Sequence, residues 1–189
     1  VPRSEWAQLD GLSTVGLSHV FQYWDAQTDD RLLTQAFMHS AMKLGAELRC
    51  PAEFTHATLI HDRCELTYQW QGQSTQCSAT VIINAAGPWV NQILHNITPA
   101  PPTLPFELVQ GTHLVIAGKP DKGCYYLESP VDRRAIFVLP WYQHTLLGTT
   151  ETVFTGSPEA CHPLAAEEAY LIECFQYYFP NRNIVVREK

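Results

Sequence analysis

The 189-residue sequence holds no Gly-x-Gly-x-x-Gly, no Walker loop and no Gly-x-Ser-x-Gly. The first two absences leave it without a phosphate-cradling loop of its own, and the third leaves no nucleophile elbow for a Ser–His–Asp triad. No Cys-x-x-Cys pair occurs among the six cysteines, at 50, 64, 77, 124, 161 and 174. Wide spacing in a chain of this size predicts free, mostly buried thiols in a reducing compartment rather than a disulfide framework. Among the histidines, His56 and His61 fall five apart on a predicted strand and so on opposite faces. His61 and Cys64 straddle a turn with no second pair to complete a tetrahedral site, so no metal centre is expected. No signal peptide and no apolar run near the length of a membrane span occur. Asn96-Ile97-Thr98 matches a glycosylation acceptor by accident in a chain from a reducing compartment. Charged residues make up only 16%, with a net charge of −7, which argues against nucleic acid or an anionic membrane surface as the main partner.

What is present is apolar mass. Hydrophobic residues reach 46%, enough for a packed core and against disorder. The chain opens at Val1-Pro2-Arg3-Ser4 and stops at Arg187-Glu188-Lys189, directly after a strand-like run, which reads as a piece of a longer protein.

One stretch organises the reading: Val81-Ile82-Ile83-Asn84-Ala85-Ala86-Gly87-Pro88-Trp89. Three apolar β-formers lead into a small-residue corner, and Pro88 suits the first turn of a helix. The expectation is strand, tight corner, helix. Ala85, Ala86 and Gly87 carry almost no side chain, so either close strand–helix packing or a cofactor edge fits there.

Along the chain, a short helical turn is expected near 4–9 and a short strand at 20–23. Thr28, Asp29 and Asp30 supply cap and first-turn acids for a core-covering helix over 29–44, closed by Gly45. The period then becomes strand-like, predicting a meander over 54–60, 64–70 and 75–79 with breaks at 61–63 and at Gly72. A helix over 88–96 and a proline-rich connector over 98–105 follow. Four strands are expected over 106–117, 124–128, 135–141 and 145–150, antiparallel because their connections are short. A last helix runs from Pro163 to about Phe179, and a strand begins at Ile184.

Within the first of those strands, His113 sits in Val109-Gln110-Gly111-Thr112-His113-Leu114-Val115-Ile116. The glycine before it leaves room for a flat or bulky neighbour. A strand histidine in an apolar run is either structural or a proton acceptor titrating near neutrality. Thr149 and Thr150 read as structural strand-end threonines, and Trp141 as a packing aromatic.

Several of these segments occur in one order and at similar spacing in FAD-dependent glycerol-3-phosphate dehydrogenases: the corner at 84–89, Gly111-Thr112-His113-Leu114-Val115, Ile136-Phe137-Val138-Leu139-Pro140-Trp141, and Leu146-Leu147-Gly148-Thr149-Thr150-Glu151. Tyr23-x-Asp25-x-Gln27-x-Asp29-Asp30 before a long helix belongs to the same set. The chain resembles the central part of that family, within the wider D-amino-acid-oxidase-like flavoproteins. One departure is Arg31, which stands one place earlier than the family's helix-start arginine and so on a different helix face.

The resemblance implies a mixed α/β (α+β) fold: part of a FAD-binding domain over 1–100 and an antiparallel substrate-binding sheet with helices on one face over 101–189. It implies His113 as the catalytic residue in the active site. It places the backbone of Phe54 and the small residues Ala85, Ala86 and Gly87 along the adenosine end of FAD. It implies oxidation of glycerol 3-phosphate to dihydroxyacetone phosphate, electrons passed to quinone, a homodimer as the assembly to test, and a cytoplasmic location at the inner face of the inner membrane. The family's Gly-rich FAD loop and its last substrate and flavin segments lie outside these residues, so this piece alone is expected to bind no FAD tightly and to be inactive. The competing readings are an amino-acid or amine oxidase of the same fold and a non-catalytic binding module.

Overall fold

The computed structural model describes all 189 residues, in two compact units: Trp24–Phe106, and Val1–Tyr23 with Glu107–Lys189. The expected split at residue 100 was contiguous. The first 23 residues instead fold with the C-terminal part. Long-range hydrogen bonds tie them there: the Asp10 carboxylate accepts from Asp121 N (2.9 Å), Lys122 N (3.0 Å) and Tyr125 OH (2.6 Å), and Ser13 N donates to Tyr178 O (2.6 Å).

The Trp24–Phe106 unit starts with α1 (Asp30–Lys43), where Asp29 Oδ1 accepts from Leu32 N at 3.0 Å and Gly45, at φ 100°, ends the helix. The helix forms as its caps predict, but it covers no core: none of its residues is buried, and Phe37 is 69% exposed. The meander also forms, as β1 (Ala52–Ile60), β2 (Arg63–Trp70) and β3 (Gln73–Ala79). After α2 (Val90–His95), β4 (Ile97–Thr98) pairs parallel to β1, giving the sheet order β3-β2-β1-β4. His61 lies in the turn after β1 with φ 43°, not on the strand, so the predicted opposition of His56 and His61 across one strand does not hold.

The strand expected over 80–85 is not formed. A strand needs hydrogen-bonding neighbours. No strand pairs with this stretch, and Val81 and Ile83 are 68% and 86% exposed. Residues 20–23 likewise carry no strand. The expected helix over 88–96 is split into a 3₁₀ turn at Gly87–Trp89 and α2.

In the second unit the predicted run 106–117 breaks at Gly111–Thr112 into β5 (Leu108–Gln110) and β6 (His113–Ala117). Strands β7 (Tyr125–Glu128), β8 (Ala135–Trp141) and β9 (His144–Gly148) follow, then β10 (Thr152–Phe154), α3 (Ala165–Tyr178) and β11 (Val186–Glu188). Five strands make an antiparallel sheet in the order β11-β6-β9-β8-β7, while β5 pairs with β10 in a separate ribbon that the sequence did not announce. The α+β architecture with an antiparallel sheet is as expected, with α3 as the helix on its one covered face.

Alternation explains that face. Leu114 and Ile116 of β6, Leu127 of β7, Ile136 and Val138 of β8 and Leu147 of β9 point inward against Leu171, Cys174 and Phe175 of α3 and Phe179 just beyond it. Phe175 and Phe179 stack at 5.0 Å, and Tyr125 meets Phe179 edge-on at 5.2 Å. Fully buried side chains of this kind contribute about 1.5–3 kcal/mol each. None of the six cysteines is in a disulfide, and only Cys174 is buried. Burial of most thiols was expected from residue type. Cys50, Cys124 and Cys161 fall in exposed irregular segments, Cys77 is exposed in β3, and Cys64 is half-buried in β2.

Candidate functional site

His113 opens β6 on the sheet face turned away from α3, since its neighbour Leu114 points into the core. The register sets a row across four strands on that open face: His113 opposite Gly148, Gly148 opposite Phe137, and Phe137 opposite Tyr126. Phe137 and Tyr126 are exposed and meet edge-on at 5.2 Å. Between the rings, Gly148 leaves a gap that the imidazole enters. A Cβ on Gly148 would stand 2.5 Å from His113 Cδ2 and 2.9 Å from Cγ. Partial desolvation in this position lowers the His113 pKa below its ordinary 6.5, so the ring is neutral at pH 7. Neutral imidazole is the form that accepts a proton.

The glycine that the sequence singled out has a different job. A Cβ on Gly111 would meet Thr149 Oγ1 at 2.5 Å and Thr150 O at 2.8 Å, so the space beside it is filled by the chain after β9 and not by a ring.

Sequence reasoning missed Glu167. Its carboxylate, 5% exposed, accepts five hydrogen bonds: at Oε2 from Thr112 Oγ1 (2.7 Å), Gln110 Nε2 (3.0 Å) and Leu164 N (3.1 Å), and at Oε1 from Thr152 Oγ1 (2.8 Å) and Thr150 Oγ1 (3.1 Å). Burial raises its pKa, and the hydrogen bonds from Thr112, Leu164, Thr152 and Gln110 outweigh that effect and bring it down to about 2. The one local signal was an acid three residues into a helix, the half of a capping box that reaches back to the first free amide.

The other four predicted residues lie in the Trp24–Phe106 unit. Phe54 is half-buried in β1 opposite Tyr68, next to a bulge at Thr55, and β4 flanks β1 only at Ala57 and Thr58. Ala85, Ala86 and Gly87 form an open corner. Asn84 braces it: its Nδ2 donates to Val90 O (3.0 Å), and its Oδ1 accepts from Ala86 N (3.2 Å). Gly87 has φ 52°, and a Cβ there would meet nothing within 4 Å. Bare backbone facing open space fits the close approach of a flat group such as an adenine ring. No three His, Cys, Asp or Glu side chains converge as a metal site, and no helix is long and apolar enough to cross a membrane.

The FAD dependent oxidoreductase family, DAO, matches residues 1–188. The chain belongs to that family. Among curated proteins it is similar to the aerobic glycerol-3-phosphate dehydrogenase of Escherichia coli K12, 26% identical over 169 residues that make up 84% of this chain and 32% of that protein. It is 31% identical over 180 residues to the aerobic glycerol-3-phosphate dehydrogenase of Staphylococcus haemolyticus, covering 89% of this chain and 31% of the relative. It is 27% identical over 170 residues to the D-erythritol 1-phosphate dehydrogenase of Brucella abortus, covering 86% and 33%. The DAO-family chain thus spans about a third of the length of these relatives. In fold it resembles the glycerol-3-phosphate dehydrogenase from Bacillus halodurans complexed with FAD, with a TM-score of 0.74 and 23% identity over 86% of this chain and 33% of that one.

Proposed function

We propose that this chain is the central segment of a flavoprotein that oxidises sn-glycerol 3-phosphate to dihydroxyacetone phosphate. The observation that carries the reading is the neutral, accessible imidazole of His113 on an open sheet face, in a chain that belongs to a FAD-dependent family. In this reading the Trp24–Phe106 unit supplies part of the FAD-binding domain, and Val1–Tyr23 with Glu107–Lys189 part of the substrate-binding domain. The backbone at Phe54 and the corner Ala85, Ala86 and Gly87 hold the adenosine end of FAD.

When bound, FAD supplies the acceptor for the hydride that leaves C2 of the substrate. His113 supplies the complementary half. Its unprotonated ring nitrogen takes the C2 hydroxyl proton, and the O–H electron pair becomes the second bond of the ketone. The aromatic pair Phe137–Tyr126 walls the same row and keeps that part of the face apolar. Electrons pass onward to quinone. The complete protein is a cytoplasmic homodimer held at the inner face of the inner membrane.

The relative named D-erythritol 1-phosphate dehydrogenase supports a second reading, a longer polyol phosphate as substrate of the same chemistry. The test is a dye-reduction assay on the complete protein that contains these residues, with glycerol 3-phosphate, D-erythritol 1-phosphate and amino acids in parallel. Turnover on glycerol 3-phosphate, cut by ~10²-fold or more in His113→Ala, is expected for a general base. Turnover on amino acids alone would transfer the chain to the oxidase reading, and unchanged turnover in the variant would remove His113 from the chemistry.

A further inference from the structure

The reaction above makes no use of the most heavily coordinated carboxylate in the protein. Glu167 draws donors from four separate places: Gln110 in β5, Thr112 at the break before β6, Thr150 and Thr152 after β9, and the Leu164 amide ahead of α3. A helix cap needs one of these bonds, not five.

The convergence surrounds the His113–Gly148 pair. Thr112 immediately precedes His113 and is held three ways: its hydroxyl donates to Glu167 (2.7 Å), its amide to Thr150 Oγ1 (2.8 Å), and its carbonyl accepts from Thr150 N (3.3 Å). Thr150 stands two residues past Gly148, and its own hydroxyl donates to Glu167 at 3.1 Å. The two strands that place the imidazole over Gly148 therefore end on one carboxylate. An ionised carboxylate has no donor, so every neighbouring hydroxyl must point its hydrogen at it, and the direction of each is fixed.

We propose that Glu167 is a positioning residue for His113, acting through Thr112 and Thr150 to hold the imidazole at the angle proton transfer needs. This rests on the reading of His113 as the proton acceptor. Displacing a catalytic group by about 1 Å can cost up to ~10²-fold in rate, so slack in the clamp has a kinetic signature.

The experiment uses the complete flavin-loaded protein. Glu167→Gln keeps the size but offers one acceptor oxygen and two unwanted donors, and Thr112→Val removes the donor beside His113. Each is expected to lower kcat ~10-fold or more with KM changed by less than about 2-fold, at a temperature where both stay folded. Thr112→Ser, which keeps the hydroxyl, restores the wild-type kcat. Ile136→Val, a core change on the same sheet, lowers the melting temperature and leaves kcat alone. With ¹⁵N-labelled histidine, the His113 ring signal is sharp in the wild type and broadened or doubled in Glu167→Gln and Thr112→Val, a readout independent of turnover. If those two variants keep the wild-type kcat and a sharp ring signal, or track Ile136→Val, the positioning role is overturned while His113 stands. If His113→Ala itself leaves kcat unchanged, both readings fall.

Discussion

The imidazole of His113 occupies the space that a side chain on Gly148 would need, with Cδ2 2.5 Å from the nearest Cβ position. Gly148→Ala also brings the new methyl to 3.0 Å from Thr112 O, a backbone atom that cannot swing away. The ring must leave the row or the strands must part. Overpacking of this kind costs about 1–3 kcal/mol. The expected outcome is a lowered melting temperature together with a loss of turnover in the complete protein. A variant that keeps both would mean that the ring has an equally good position elsewhere on the face.

The state of the same ring sets a pH dependence. His113 loses its proton below 6.5, because burial penalises the imidazolium. A base must be deprotonated to act, so kcat/KM should rise with pH through a midpoint below 6.5 and level off above that midpoint. The profile is read from initial rates between pH 5 and 8. A break above 6.5 would contradict the desolvated ring.

Glu167 makes a stability prediction that needs no substrate. Its folded pKa of about 2 lies below the ordinary 4.5, so the folded state binds its proton more weakly than the unfolded chain does. That stabilisation is complete above about pH 4.5 and is lost as the pH falls through the folded value near 2. At 1.36 kcal/mol per pH unit the shift corresponds to about 3 kcal/mol. Denaturant titrations of wild type and Glu167→Gln should differ most at pH 7 and converge as the pH approaches 2. Parallel curves at every pH would show that the carboxylate's charge plays no part.

Local chemistry was legible in the sequence, and long-range chemistry was not. Asp29 and Gly45 announced both ends of α1, and the Gly72 turn and the alternation around it announced the meander. Residues 81–85 show the limit. Their apolar run signals burial, yet a strand is made by its neighbours, and Val81 and Ile83 have none. The break at Gly111–Thr112 was hidden for a related reason: the group that holds it, Glu167, lies 55 residues further on. In the sequence Glu167 is an ordinary first-turn acid, and Thr150 and Thr152 are ordinary strand-end threonines. Only the fold brings them onto one carboxylate. His113 is singled out in the sequence by its position in an ordered set of short segments; Gly148 belongs to the same set, but its contact with the ring is hidden there because it runs across strands.

The corner at 84–87 carries the last prediction. Ala85 is exposed, and a Cβ on nearby Gly87 would meet nothing within 4 Å, so the corner is open in this chain. Surface changes away from caps and strained backbone stay within about 0.5 kcal/mol of neutral. If the corner lies along the adenosine end of FAD, Ala85→Leu adds the bulk of an isobutyl side chain where a flat ring must approach the backbone. In the complete protein the variant should then purify with less bound flavin, measured as the ratio of flavin to protein absorbance, and added FAD should restore it with weakened affinity. Its apo form should unfold at the wild-type denaturant midpoint. A full complement of flavin in Ala85→Leu would leave the corner a packing element and move the adenosine contact elsewhere. A shifted midpoint would show that the side chain at 85 is not free in the complete protein, and that its smallness serves packing against a part of the protein beyond these residues.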